Sequence, residues 1–124
     1  MKVFVVEDSA MVRERLIEMI REIEGVDVVG EAGSFDAAVS GILATRPDVA
    51  ILDINLSPGN GIEVLVQVKR ELPGLKGIML TNYDTPQHVR ASAEAGAAYF
   101  LDKSVDFERI TEILEQMKGP ESGG

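Results

Sequence analysis

The chain has 124 residues, 45% of them hydrophobic, which suffices for one domain with a single core and is too little for two. Its formal net charge of −9 disfavours direct binding to nucleic acid or anionic lipid, because phosphate groups are bound by clustered Lys and Arg. The absence of cysteine excludes disulfides and thiolate chemistry, and no apolar segment approaches the ~20 residues that span a bilayer, so we expect a cytoplasmic protein.

Apolar runs of strand length alternate with segments of helical period along the chain. The runs lie at residues 2–6, 26–31, 49–53, 77–80 and 98–102. Apolar residues spaced by three and four follow each run, which indicates amphipathic helices, and Ser9, Ser34 and Thr85 stand where helix N-caps are expected. Pro86 suits the first turn of the fourth helix, and Gly96 suits its end. The predicted order is a strand followed by a helix, five times over.

This alternation predicts an α/β fold. Parallel strands need crossover connections, so strands that alternate with helices form a parallel sheet with helices on both faces. The nearly uninterrupted apolar runs are typical of strands that are buried on both faces. Five strand–helix units within residues 1–118 fit an open sheet, whereas a closed eight-stranded barrel needs about 250 residues. Residues 119–124, "GPESGG", are predicted to be a disordered tail or the start of a linker.

Polar side chains stand at the ends of four of the five runs. Glu7 and Asp8 follow the first run, Asp53 ends the third, Thr81 follows the fourth and Lys103 follows the fifth. Because an open parallel sheet binds ligands at the carboxyl ends of its strands, we expect these side chains to converge. Adjacent carboxylates repel one another unless a cation lies between them, which favours a divalent cation such as Mg²⁺. A carboxylate nucleophile, a metal, a lysine and a hydroxyl are the groups that phosphoryl transfer needs.

Each of these residues also has a structural interpretation when it is considered alone. Glu7 and Asp8 could favour the start of a helix through its macrodipole, and Asp53 could open a turn. Thr81 could act as a cap, and Lys103 could be a solvated surface lysine. Their common position at strand carboxyl ends favours one shared site over four unrelated structural roles.

Four motifs together resemble the receiver domains of two-component response regulators, over residues 1–118. They are "VVEDSAMVRERL", "PDVAILDINLSPGNGIEVL", "GIMLTNYD" and "AGAAYFLDKS". The resemblance implies a flavodoxin-like (βα)5 fold with strand order 2-1-3-4-5. It also implies that a histidine kinase, or a phosphotransfer protein, donates a phosphoryl group to the central Asp in a Mg²⁺-dependent reaction that the receiver itself catalyses.

The resemblance assigns roles to individual residues by position. It implies that Asp53 is the phosphoacceptor and becomes 4-aspartylphosphate, and that Mg²⁺ is held by Glu7, Asp8, Asp53 and the backbone carbonyl of Asn55. Such a domain accepts and hydrolyses its own phosphoryl group, so we expect no turnover on a separate substrate.

The resemblance also implies a switch that links this site to a surface. Lys103 and the hydroxyl of Thr81 would bind the phosphoryl group, which adds roughly two negative charges, and an aromatic side chain would then turn inward. Strand alternation favours Phe100 for that aromatic, with Tyr99 as the alternative. The surface formed by the fourth helix, fifth strand and fifth helix would change shape and control a partner, an output domain or a homodimer.

Several positions depart from the commonest receiver pattern. Ser104 stands where many receivers have a proline after the lysine, and Ser57 stands where a proline is usual, with Pro58 one residue later. Asn82 replaces a small residue, and Asn55 and Tyr83 lie at positions that tune dephosphorylation in this family. The sequence therefore does not predict the lifetime of the phosphoryl group.

Three rival interpretations concern the whole chain. A phosphatase of the haloacid dehalogenase type also uses an Asp nucleophile, but it needs a second acid two residues later, where this chain has Asn55. A pseudo-receiver that binds proteins without being phosphorylated usually lacks the acceptor, the acidic pair or the lysine, all of which are present here. A receiver fragment of a helix-turn-helix transcriptional regulator fits equally well, and these residues would then contain no DNA-reading element.

Two further features are interpreted as surface. The charged side chains of the first helix, Arg13 among them, are predicted to form a solvated face. His88, the only histidine, falls in the predicted fourth helix and is interpreted as solvated rather than as a phosphohistidine.

Overall fold

The structure, a computed structural model, describes residues 1–56, 58–82, 85–103 and 108–118. The predictions made for Ser57, Tyr83, Ser104 and residues 119–124 lie outside these ranges.

Within the described residues, strands and helices alternate from β1 to α5. The strands are β1 Lys2–Val6, β2 Asp27–Ala32, β3 Val49–Asp53, β4 Lys76–Thr81 and β5 Ala97–Asp102. The helices are α1 Ala10–Arg21, α2 Phe35–Thr45, α3 Gly61–Lys69, α4 Pro86–Glu94 and α5 Arg109–Met117. The predicted strand limits differ from these by no more than one residue.

The strands form one parallel sheet in the order β2-β1-β3-β4-β5, which confirms the predicted fold class and strand order. β3 is the central strand, and all of its residues are buried. Its last residue, Asp53, lies beside Leu80 of β4, and Thr81 of β4 lies beside Asp102 of β5. The register therefore brings the carboxyl ends of the central strands to the same edge of the sheet.

Alternate residues along the strands divide between two cores, one on each face of the sheet. On one face, the strands pack with Leu16 of α1 and Leu114 of α5. On the other face they pack with Ile42 of α2, Leu65 of α3 and Ala91 of α4. Each sheet face is thus covered by helices, as the uninterrupted apolar runs predict. No helix of the described residues is both long enough and apolar enough to cross a membrane.

The first free amides of four helices are satisfied by side-chain caps. Ser9, Ser34 and Thr85 cap α1, α2 and α4, as predicted. Asn60 caps α3, because its Oδ1 accepts a hydrogen bond from the Glu63 amide at 2.9 Å, and this cap was not predicted. The following residue must be small, since a Cβ on Gly61 would collide with the carbonyl oxygen of Asp53.

Candidate functional site

Three carboxylates converge at the carboxyl edge of the sheet. Glu7 and Asp8 directly follow β1, and Asp53 is the last residue of β3. Each offers an oxygen, and these oxygens all lie within 4.8 Å of one another. Glu7 and Asp53 are buried, each 1% exposed, whereas Asp8 is exposed. The cluster therefore has a solvent-facing side and a buried side.

Both oxygens of the Asp53 carboxylate have defined partners. Oδ1 accepts a hydrogen bond from the backbone amide of Asn55 at 3.0 Å, and Oδ2 accepts one from the Lys103 ammonium at 3.0 Å. The loop that supplies the Asn55 amide is closed by a bridge between Asn55 and Asn60, directly before α3. The carboxylate thus sits at the end of a rigid strand in a fixed orientation.

Lys103 lies between two carboxylates. Its Nζ is 3.0 Å from Asp53 Oδ2 and 2.5 Å from Glu7 Oε1. The other oxygen of Glu7 accepts a hydrogen bond from the Ser9 amide at 3.0 Å. Lys103 reaches this position from the end of β5, where its own amide bonds to the Thr81 carbonyl at 2.9 Å. One ammonium thus pairs with two of the three carboxylates, which leaves the cluster with a surplus of negative charge.

Burial and mutual hydrogen bonds shift the pKa values of Glu7, Asp53 and Lys103. Burial raises the pKa of Glu7 to about 7, an effect only partly offset by its hydrogen bonds with Lys103 and Ser9. Burial also raises the pKa of Asp53 above its usual range, against the lowering effect of the Asn55 amide and of Lys103. For Lys103, burial lowers the pKa, but the hydrogen bonds to Glu7 and Asp53 outweigh burial and raise it. The ammonium stays charged, while Glu7 and Asp53 retain protons more readily than free carboxylates do.

The register of β4 and β5 separates the two candidate aromatic residues. Phe100 lies beside Met79, and two-residue alternation along β4 places Thr81 on the same face of the sheet as Met79. Tyr99 lies beside Ile78 and packs on the opposite face, with the α1 and α5 core. Phe100 packs with the α2, α3 and α4 core. Phe100 therefore shares a sheet face with the buried Thr81, and Tyr99 does not.

The contacts of one residue near the site, Arg13, were not predicted from the sequence. Arg13 was predicted to be part of a solvated face, and this was wrong: its side chain is only 21% exposed. Its Nη1 donates to the backbone carbonyl of Glu7 at 2.7 Å, and its Nε donates to Glu31 at 2.9 Å. The signal was its position, because Arg13 lies one helical turn after the Ser9 cap and therefore beneath the loop that carries the acidic pair.

The sequence is similar to known families and proteins over most of its length. Residues 3–115 match the family model described as the response regulator receiver domain. The DNA-binding transcriptional activator DevR/DosR of Mycobacterium tuberculosis is 38% identical over 104 residues, which are 84% of this chain and 48% of that protein. The response regulator protein VraR of Staphylococcus saprophyticus is 30% identical over 121 residues, which are 98% of this chain and 58% of that protein. The chain spans about half the length of these curated relatives.

Solved structures show the same similarity. The signal receiver domain of the response regulator NarL from Mycobacterium tuberculosis superposes with a TM-score of 0.84 at 32% identity, covering 96% of this chain and 97% of that one. The response regulator domain of CheB from Thermotoga maritima superposes with a TM-score of 0.81 at 28% identity, covering 95% and 93%.

Proposed function

This chain belongs to the response regulator receiver domain family, and we propose that it is a phosphorylation-dependent signalling switch whose acceptor is Asp53. The observation that carries the proposal is the setting of the Asp53 carboxylate. It is buried at the end of the central strand, with a backbone amide on one oxygen and the Lys103 ammonium on the other. A carboxylate held in this way is oriented for attack and lies beside a cation that can pair with an incoming phosphate.

The acidic cluster fits a magnesium ion. Mg²⁺ prefers oxygen ligands and is usually held by one or two carboxylates together with waters and phosphate oxygens. Glu7, Asp8 and Asp53 offer oxygens within 4.8 Å of one another, with more negative charge than Lys103 neutralises. We propose that these three residues and the Asn55 backbone carbonyl hold the ion. When bound, it would neutralise charge on the carboxylates and on the phosphoryl oxygens.

The proposed transfer uses groups of this chain in defined roles. An oxygen of Asp53 forms a bond to phosphorus while the phosphorus–nitrogen bond of a phosphohistidine breaks, and the histidine leaves with the electron pair. Lys103 favours the ionised form of Asp53 before the reaction and pairs with the phosphoryl oxygens afterwards. The hydroxyl of Thr81 then binds the same oxygens. Water then attacks phosphorus, the bond from phosphorus to the Asp53 oxygen breaks, and inorganic phosphate leaves, which returns Asp53 to its carboxylate; the domain thus times its own signal without turnover of a separate substrate.

We propose that the output side of the switch is the surface of α4, β5 and α5. Phe100 shares a sheet face with Thr81, which supports Phe100 over Tyr99 as the aromatic residue that responds when Thr81 moves. Of the two relatives, which are about twice as long, one is named a response regulator protein and the other a DNA-binding transcriptional activator. Residues 1–118 would then be the receiver, and 119–124 a linker to an output domain in a cytoplasmic regulator. Its net charge of −9 makes direct nucleic-acid binding by this part unfavourable, and phosphorylation would act through a partner, an output domain or a homodimer.

Labelling with a small phosphodonor tests the proposal. The protein is incubated with acetyl phosphate and Mg²⁺, and intact mass spectrometry measures the gain of one phosphoryl group. We expect labelling of the wild type, none of Asp53→Asn, and none when EDTA removes the metal. Asp48→Asn is the matched control, because Asp48 lies just before the first residue of β3, far from the site. Its Oδ2 accepts a hydrogen bond from the Lys2 amide. Equal labelling of Asp53→Asn, or indifference to EDTA, contradicts the proposal.

A further inference from the structure

We propose that Arg13 is a positioning residue for the acidic pair, an inference that rests on the metal and phosphoryl-acceptor function proposed above. Arg13 touches neither the Asp53 carboxylate nor the Lys103 ammonium. Its Nη1 donates a hydrogen bond of 2.7 Å to the backbone carbonyl of Glu7. That carbonyl belongs to the peptide unit that joins Glu7 to Asp8, the two residues whose carboxylates face Asp53. Arg13 therefore acts on the backbone from which both carboxylates extend, and most directly on Asp8, because the Glu7 carboxylate is also held by the Ser9 amide and Lys103.

The Glu7–Asp8 peptide has few other restraints. The Glu7 amide bonds to the Ala32 carbonyl of β2 at 3.0 Å, which fixes the chain before the pair. After the pair, the chain enters α1, where the Arg13 amide bonds to the Ser9 carbonyl at 2.9 Å. Between these two backbone hydrogen bonds, the guanidinium of Arg13 holds the Glu7 carbonyl. Without it, the peptide can rotate; the Glu7 carboxylate keeps its contacts with the Ser9 amide and Lys103, so the Asp8 carboxylate is the one that turns.

Arg13 is itself held in place by the neighbouring edge strand. Its Nε donates to Glu31 Oε1 of β2 at 2.9 Å, and its side chain is 21% exposed against 51% for Glu31. Two donors of one planar guanidinium thus point to two acceptors in different elements. A lysine ammonium is a single point on a flexible stem and cannot reproduce that fork.

Gly33 provides the space that the guanidinium occupies. A Cβ at this position would lie 2.8 Å from Arg13 Nη1, closer than real side chains approach. The same Cβ would meet the Glu7 carbonyl at an ordinary 3.6 Å. Alanine at position 33 would therefore displace the guanidinium while leaving Arg13, Glu7 and Asp8 chemically unchanged. This offers a second route to the same effect from a different part of the chain.

The experiment measures the magnesium affinity of the complete chain by isothermal titration calorimetry. Loss of a hydrogen bond to the supporting shell of a metal site typically weakens metal binding by about 10- to 100-fold. We expect Arg13→Gln to raise the Kd for Mg²⁺ by about tenfold. Arg13→Lys should raise this Kd by a smaller factor, and Gly33→Ala should raise it by about as much as Arg13→Gln. Arg21→Gln is the matched control, because it removes the same charge from an exposed position on the same helix, and we expect less than a twofold change.

Thermal unfolding of the metal-free proteins separates positioning from a merely structural role. A structural role lowers the melting temperature of Arg13→Gln but leaves its magnesium Kd equal to that of Arg21→Gln, and that result overturns the inference. If Arg13→Gln does not fold, an unchanged Kd in Gly33→Ala overturns it instead. If the wild type binds no Mg²⁺ and accepts no phosphoryl group, the proposed function itself fails. Normal wild-type binding and labelling with unaffected variants refutes only the role of Arg13.

Discussion

The third and fourth helices have the same length but are packed very differently. α3 and α4 contain nine residues each and cover the same face of the sheet. α3 buries five of its residues, Gly61, Ile62, Val64, Leu65 and Val68. Among its described residues, α4 buries only Ser92. Because buried apolar area supplies most of the packing free energy, α3 is firmly anchored and α4 is held loosely.

This difference separates the part of the molecule that holds the reacting groups from the part proposed to report on them. α3 follows the loop after the acceptor Asp53, and Gly61 packs directly on the Asp53 carbonyl. α4 follows β4, which ends in Thr81, and it packs beside β5, which is only partly buried. Lys103 joins the two parts, since its side chain extends from the end of β5 to the carboxylates of Glu7, which follows β1, and Asp53, which ends β3.

The largest effect is expected from cutting the link between the two parts. Lys103→Met keeps the length of the side chain but removes the charge beside Asp53 and Glu7. Loss of one preorganised electrostatic group typically costs about 10²- to 10³-fold in rate, so we expect labelling by acetyl phosphate at saturating Mg²⁺ to slow by about that factor. Lys69→Met is the matched control, because Lys69 bonds to the Pro73 and Leu75 carbonyls, away from the site. Similar rates for the two variants would show that Lys103 has no role in transfer.

A pH effect is expected from the anchored part. The pKa of Glu7 is about 7 in the folded protein and 4.5 in the unfolded chain, so the folded state binds the proton more tightly. The free energy of unfolding of the metal-free protein should therefore be highest below pH 4.5 for this group and fall by up to about 3 kcal/mol as the pH rises to 7. Asp53, whose pKa is also raised, acts in the same direction.

Chemical denaturation across this pH range measures the effect. Glu7→Gln should show a shallower fall than the wild type, whereas exposed Glu18→Gln should keep the wild-type slope. The same slope in Glu7→Gln and in the wild type would contradict the assigned burial of Glu7.

The strands and the convergence of the site residues could be predicted from the sequence, whereas the contacts within the site could not. The apolar runs predicted each strand to within one residue, because a doubly covered parallel strand is apolar along its whole length. The convergence of Glu7, Asp8, Asp53 and Lys103 followed from their positions at strand ends. The contacts between them did not, because the Lys103–Glu7 ion pair depends on how far the Lys103 side chain reaches from the end of β5, past β4 and β3, toward the end of β1.

Arg13 illustrates the other limit of the sequence. Helical periodicity predicts which way a side chain leaves the helix, but not that a loop carbonyl will lie within its reach. The helical pattern therefore predicted an exposed Arg13, although its side chain contacts Glu7 and Glu31. The weak packing of α4 was not predicted either, although it agrees with the small and polar composition of the helix, "PQHVRASAE".

A matched pair of valines measures the packing contrast directly. Val64 and Val89 are each the fourth residue of their helix, and Val64 is fully buried whereas Val89 is 43% exposed. We expect Val64→Ala to lower the free energy of unfolding by about 2 kcal/mol, from two lost methyl groups and the cavity left behind. Val89→Ala should change it by less than about 0.5 kcal/mol. Equal losses in urea denaturation would mean that α4 is anchored as firmly as α3.

The smallest effect concerns the one buried residue of α4. Ser92 Oγ is buried and has no hydrogen-bond partner among the described residues. A buried unsatisfied hydroxyl is unfavourable, so Ser92→Ala should raise the free energy of unfolding by about 1 kcal/mol. Ser40→Ala, in the middle of α2 and exposed, is the control for the change in helix propensity. If both variants gain equally, the gain comes from propensity, and burial of the hydroxyl contributes nothing.

Amide hydrogen exchange tests most directly whether phosphorylation at Asp53 is reported by α4 and β5. The protein is compared with and without Mg²⁺ and beryllofluoride, which mimics the phosphoryl group, and Asp53→Asn serves as the control. We predict altered exchange for the amides of α4 and β5, unchanged exchange for the amides of α3, and no response in Asp53→Asn. Equal changes in α3 and α4, or a response that persists in Asp53→Asn, would contradict the proposed division between an anchored site and a loosely packed reporting surface.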